Sequence, residues 1–199
     1  MRPGRKGFAA LEAALLMMVP AAMGVALMTG TASAPLLMLA VVTLVSVLFF
    51  LGYERGRPAL RQIMPTLVLA ALAAAGRILF APIPDFKPLS AIAIIAGATL
   101  GPRNGFMVGA LAALTSNFFF GQGLWSPWQM YAWGMVGYVG GALANIGAFG
   151  DPSTGHPRMW ALALAGLASG ALYGAIINAY GVLGFVRPLT WQGALAYVA

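Results

Sequence analysis

Side chains able to do acid–base, nucleophilic or metal chemistry are few in this chain. It has four acids (Glu12, Glu54, Asp85 and Asp151), one histidine (His156) and no cysteine. Without cysteine there is no disulfide and no thiolate site. The acids and the histidine are too scattered for a metal constellation. No GxxxxGK phosphate-cradling stretch is present, so the chain carries no ATPase of its own. Apart from Glu12, these groups fall in loops or at the ends of apolar runs, which leaves no proton relay through a membrane. The sequence therefore predicts neither an enzyme nor a resident cofactor or metal. What remains is amide and indole chemistry. The stretch "SNFFFGQGLWSPWQMYAWG" (Ser116–Gly134) puts one Asn, two Gln and three Trp into nineteen residues.

Two readings of that stretch stand side by side. Ser126, Pro127 and Gln129 form a capping-box pattern for a helix start, and Trp125, Trp128 and Trp133 suit a membrane interface. Neither explains Asn117, a turn inside its helix end, where an amide must find a partner. Nor do they explain Gln122, set between Gly121 and Gly123, which permit an unusually tight backbone. Flat aromatic faces beside fixed amides suit a pocket for a planar, polar organic ligand. The other candidate wall is "APIPDFKPLSA" (Ala81–Ala91), stiffened by three prolines. There Asp85 and Lys87 can pair and Arg77 lies near enough in sequence to join, although a surface ion pair of this kind contributes little.

These residues must be positioned by membrane helices. The chain is 61% hydrophobic and only 8% charged, against roughly 25% charge in soluble domains. With about 20 apolar residues per span, the predicted segments are 8–29, 35–52, 62–82, 88–101, 104–120, 127–149 and 158–183, with an eighth from Leu189. The run 88–101 is short for a span. Leu189–Ala199 gives roughly 16 Å of helix at 1.5 Å per residue, about half a hydrocarbon core, so a fragment of a longer protein is expected. The basic start, apolar run and "ASA" at Ala32–Ala34 imitate a signal peptide, but Glu12 and the length of the run argue against cleavage.

The net charge of +7 reports topology rather than nucleic-acid binding. Arg2, Arg5, Lys6, Arg55, Arg57, Arg61, Arg103 and Arg158 fall on one side of the alternating spans, and Arg77, Lys87 and Arg187 on or near the other. That bias predicts a cytoplasmic N-terminus and an outward-facing 121–126 segment. Small residues four apart predict close helix contacts in lipid: Gly166, Gly170 and Gly174 in one span, Gly137 and Gly141 in another. The alanine pairs Ala70/Ala74 and Ala71/Ala75 suit either packing within the bundle or a flat strip for another membrane protein. Ser169 and Tyr173, with Asn178 further along, give the last long span a polar edge, and such edges usually face a bundle interior.

The stretch Gly76–Gly134 resembles the substrate-binding S components of energy-coupling factor transporters, most closely the branch linked to cobalamin or its precursors. The blocks that carry the resemblance are "FKP" (Phe86–Pro88), "GFMVGAL" (Gly105–Leu111) and "SNFFFGQG" followed by "PWQM", with "YERGRPALR" (Tyr53–Arg61) upstream. The similarity runs from about Tyr53 to Trp191 and is looser before that.

The resemblance implies an all-α integral membrane protein: a six-helix S-component core from residue 62 to 199, truncated at its last helix, preceded by two extra spans and a basic link over 1–61. It implies a multi-pass subunit of the bacterial cytoplasmic membrane that captures cobalamin or a related precursor outside. Such a subunit then docks on a transmembrane T component with two ATPases. Either alanine pair would meet the T component, so all of Ala70, Ala71, Ala74 and Ala75 are candidates. The family's substrate mouth would fall on Ala81–Lys87, Gly121–Ser126 and about Leu183–Leu189. The candidate ligand residues are Phe86, Lys87, Asn117, Gln122, Trp125, Trp128, Gln129, Tyr173 and Asn178. The competing expectation is a structural membrane protein that scaffolds partners without transporting anything.

Overall fold

The computed structural model describes residues 5–29, 34–56, 58–83, 86–150, 156–186 and 191–198. Every regular element among them is helical: α1 (Arg5–Thr29), α2 (Ala34–Arg55), α3 (Leu60–Leu79), α4 (Pro88–Leu100), α5 (Pro102–Phe120), α6 (Ser126–Asn145), α7 (Met159–Phe185) and α8 (Trp191–Val198). Among the described residues, three stretches are long and apolar enough to cross a membrane: Leu36–Arg55, Leu60–Leu79 and Met159–Phe185. No more than 28% of any of the three is buried by protein. Their exposed Leu67, Val68, Leu72, Leu164 and Leu167 suit hydrocarbon and not water. This marks the chain as a helical membrane protein.

The chain divides into two compact units. One comprises Met1–Gly56 with Ile176–Ala199, and the other Arg57–Ala175. The first division therefore falls close to the basic link, while the end of α7 groups with the N-terminal helices. In the first unit α1 packs on α2, with Leu16, Val19, Val42 and Val45 buried.

In the second unit, α3, α4, α5 and α6 pack on one another. The seam of α4 and α5 against α6 is built from glycines. A Cβ added at Gly97 would come within 2.7 Å of the Gly141 nitrogen, and one at Gly109 within 2.8 Å of the Gly134 nitrogen. Side chains are excluded there, and backbones meet directly, as expected where little hydrophobic drive separates helix from lipid. The predicted role of Gly137 and Gly141 is found on this seam. Gly166, Gly170 and Gly174 differ: a Cβ at each would meet nothing within 4 Å. Their stripe on α7 makes no close helix contact, because the buried face of that helix is the one carrying Ala161 and Ser169.

The short run 88–101 becomes a helix of 13 residues. Leu89, Ala93 and Ala96 on it are fully buried, so its neighbours and not its length account for its apolarity. It turns into α5 at Gly101, whose φ of 92° disfavours any side chain. α6 ends at Asn145, four residues before the predicted 149. Gly147 (φ 76°) closes it, with Gly147 N–H bonded to Ala144 O at 2.9 Å and Ala148 N–H to Leu143 O at 3.0 Å. That is the pairing of a Schellman stop. Phe149 then folds back into the core with Ala73, Trp133 and Ala161.

This connectivity places the C-terminal ends of α3 and α5 together with the N-terminal ends of α4 and α6. The segments 80–83, 86–87 and 121–125 therefore emerge at one end of the unit, and Arg61, Arg103 and Arg158 stand at the other.

Candidate functional site

Arg77 is the last buried residue of α3, with only 9% of its surface exposed. A guanidinium is expensive to bury, and here several groups offset the cost. Nη1 donates to Ser116 Oγ at 2.6 Å and to Asn117 Oδ1 at 2.7 Å, both on α5. Nη2 lies 3.5 Å from Gln129 Oε1 on α6. The charge also sits 4.7 Å from the centroid of the Phe120 ring and 4.6 Å from that of Trp133. Each such cation–π contact is worth about 2 kcal/mol when desolvated. All of these partners are neutral, and no carboxylate meets Arg77 among the described residues.

The amides form a second layer of the same network. Asn117 Nδ2 donates to Gln129 Oε1 at 2.8 Å, and its distance to Ser126 Oγ is 3.4 Å. Asn117 is fully buried, so its Oδ1 and Nδ2 are committed inside the protein, one to Arg77 and the other to α6. Ser116 in turn donates to the carbonyl of Ala112 at 2.7 Å. The network thus joins α3, α5 and α6 at the end where their loops emerge. From α7, Tyr173 stacks on Trp133, with ring centroids 4.3 Å apart, and holds the indole against Arg77.

The capping box does not form. Trp125 is the N-cap of α6, without a side-chain cap bond, and Ser126 and Pro127 begin the helix. Gln129 is drawn away to Asn117 and Arg77. Ser126 Oγ instead accepts from the Gly123 N–H at 3.1 Å and donates to Gln122 Oε1 at 2.7 Å. The other end of the Gln122 amide donates to Leu114 O at 3.0 Å. Gln122 is therefore a brace that ties the 121–125 loop to α5. Gly121, with φ at 95°, reverses the chain. Gly123 leaves room for the Trp125 ring, which a Cβ would strike.

Above the network lies a cavity of about 330 Å³. Arg77, Asn117 and Gln129 form part of its lining, Phe80, Phe86 and Phe120 supply aromatic walls, and Lys87 and Trp125 also face it. Phe86 meets Phe80 edge to face at 5.1 Å, so the chain after α3 returns over its own helix end. Asp85 lies outside the described residues, as do residues 187–189 of the predicted third loop segment.

Of the residues predicted to bind a ligand, Phe86, Lys87, Asn117, Trp125 and Gln129 come together at this cavity. Gln122, Trp128 and Tyr173 do not line it. Trp128 is core, with 1% of its surface exposed, and Tyr173 lies behind the lining, against Trp133 and hydrogen-bonded to Gln129. Asn178 belongs to the other unit. The central residue, Arg77, entered the sequence reading as a possible partner of Asp85 and as an outer-side charge in the topology count, not as a ligand residue. Its signal was a lone arginine within an apolar run, about 40 residues before an Asn. The alanine pairs separate cleanly: Ala70 and Ala74 are 5% and 2% exposed within the unit, whereas Ala71 and Ala75 are exposed. Among the described residues no three His, Asp or Glu side chains come together to hold a metal ion.

The arrangement is a small, half-open recess with aromatic walls and a fixed positive charge at its floor. Among its described lining residues, Arg77 and Lys87 carry the ionisable groups. Comparison with protein-family models, curated proteins and solved structures finds no match to this chain.

Proposed function

We propose that this protein is the substrate-binding subunit of a membrane importer of the energy-coupling factor type, as the sequence resemblance implies. The observation that carries the reading is the aromatic recess above Arg77, built where two loops emerge from a membrane-embedded unit. The basic residues Arg61, Arg103 and Arg158 belong to the opposite end of that unit, which supports an outward-facing recess under the positive-inside bias. Within the expected ligand class, a volume of about 330 Å³ lies at the low end of small-molecule sites. It favours a planar precursor of benzimidazole size over an intact corrinoid. The test is direct titration of the purified chain with benzimidazole and with cobalamin, followed by tryptophan fluorescence. Saturable binding of the smaller ligand is expected, and failure of both to bind a folded sample refutes the reading.

Docking on a T component falls to Ala71 and Ala75, because Ala70 and Ala74 are occupied inside the unit. Association in lipid depends on close contact over small residues, and a bulky side chain forfeits many weak contacts at once. Ala71→Trp and Ala75→Trp should leave ligand binding unchanged and abolish transport. Capture of the T component by each variant, with binding measured in parallel, decides this. Retained capture by both variants removes the docking assignment.

A further inference from the structure

Arg77 presents a charge that the described residues do not neutralise. It is nine-tenths buried, lines the cavity, and has only hydroxyl, amide and ring partners. The way those partners are distributed over the guanidinium is informative. Both short hydrogen bonds are made by Nη1. Nη2 has only the long 3.5 Å approach to Gln129, and Nε has no acceptor among the described residues. Nε and Nη2 form the side edge of the guanidinium fork. That edge offers two parallel N–H groups, the geometry that receives a carboxylate bidentately.

The acceptors nearby fill this edge only in part: Gln129 Oε1 accepts from Asn117 at 2.8 Å and meets Nη2 only at 3.5 Å, while Asn117 Oδ1 accepts from Nη1. Lys87 adds a second positive charge at the cavity and is itself exposed. A recess with two cations and aromatic walls attracts anions and rejects ligands that leave a buried charge unpaired.

We infer that the ligand of this recess is an anion: a planar aromatic molecule whose carboxylate, or equivalent anionic oxygens, docks on the Nε–Nη2 edge of Arg77 while its ring lies among Phe80, Phe86, Phe120 and Trp125. This rests on the proposed reading of the recess as a ligand site and narrows it from planar heteroaromatics in general to those bearing a negative charge. The anion completes the electrostatics of the unit, so occupied protein is also more stable than empty protein.

The experiment uses three probes of one shape: benzimidazole-5-carboxylate, benzimidazole-5-carboxamide and benzimidazole. Each is titrated into the purified full chain near neutral pH, with melting temperature as a second readout. The carboxylate should bind at least about tenfold more tightly than the carboxamide, the margin of one charged hydrogen-bond pair, and should raise the melting temperature most. Arg77→Gln, which keeps polar contacts but removes the charge, should erase the margin. Lys87→Gln, at an exposed position, should reduce it only in part.

Equal binding of carboxylate and carboxamide by the unaltered protein overturns the inference even if Arg77→Gln does not fold. Benzimidazole binding would then leave the recess as a neutral-ligand site. A margin that survives in folded Arg77→Gln also overturns it. So does a margin absent from the native chain that emerges in Asp85→Asn, because Asp85 would then be the internal counter-charge. Failure of all three probes to bind folded protein removes both the inference and the reading beneath it.

Discussion

Helix α5 carries a buried asparagine near each end, and the two are used differently. At its start, Asn104 Nδ2 donates to Leu100 O at 2.6 Å, and its Oδ1 lies 3.3 Å from the Thr66 hydroxyl, which donates to Gln62 O at 2.7 Å. This group joins α3 to α5, and neither Asn104 nor Thr66 lines the recess. At its end, Asn117 meets a guanidinium that lines a recess. Burial and hydrogen bonding alone do not distinguish the two sites. The difference is capacity left over. A buried polar group whose donors and acceptors are consumed by its neighbours contributes to stability, whereas one that holds a charge with unused donors toward open space is equipped to recognise something.

Removing that charge should produce the largest contrast between the ends. In Arg77→Met the aliphatic stem is retained and the fork is lost. Binding of a ligand that pairs with the fork should fall by about 30-fold or more, the usual consequence of truncating one partner of a buried charged pair. Titration calorimetry on the folded variant checks this. Thr66→Val at the opposite end removes one hydroxyl hydrogen bond, costs about 1 kcal/mol of stability, and should leave binding unchanged.

The two asparagines give a sharper and smaller contrast. Asn117→Ala and Asn104→Ala should each destabilise the unit by about 1–3 kcal/mol, because each strands a buried partner. Melting curves in detergent would then look alike. Ligand binding should separate them: Asn117→Ala frees Nη1 and loosens the fork, for a loss of roughly tenfold, while Asn104→Ala has no effect. Equal losses of binding would mean that the closed end also supports the recess, and that the distinction drawn from leftover capacity does not hold.

The helices were legible in the sequence because apolar runs and Gly/Pro punctuation act locally. Gly101 and the Pro102 that follows it divide α4 from α5 with no help from distant residues. The site was legible in part. Asn117, Trp125 and Gln129 stood out as amides and an indole in apolar surroundings. Trp128 and Gln122 stood out in the same way, yet Trp128 is core and Gln122 is a loop brace. Composition does not say which way a side chain turns, and α6 turns Trp128 inward three residues after Trp125. Arg77 was read as a charge near a loop because its partners lie 39, 40 and 52 positions away. That separation also undid the capping box. Local pattern gave Gln129 to its own helix start, whereas the buried donors of Asn117 and Arg77 had the greater need of an acceptor. The alanine pairs could not be ordered either, since one residue is about 100° of helix and only the packed neighbours show which pair is inside.

The smallest expected effect tests the rim of the recess. Trp125 is 42% exposed and has its ring laid over Gly123, where it faces the cavity with Phe86 and Phe120. Little of the core depends on it, so Trp125→Ala should leave the melting temperature of the empty protein nearly unchanged. An aromatic face against a planar ligand contributes about 0.5–1.5 kcal/mol beyond area burial, which corresponds to a loss of up to roughly tenfold in affinity. The loss should be the same for a carboxylate ligand and its amide, because the indole reads the ring and Arg77 reads the charge. Parallel titrations of the two ligands against folded Trp125→Ala make that separation measurable. If affinity is unchanged for both, Trp125 is an interfacial anchor and the ligand is held by Arg77 and the phenylalanines alone. If only the carboxylate is weakened, the indole acts through the fork, and rim and floor are one device.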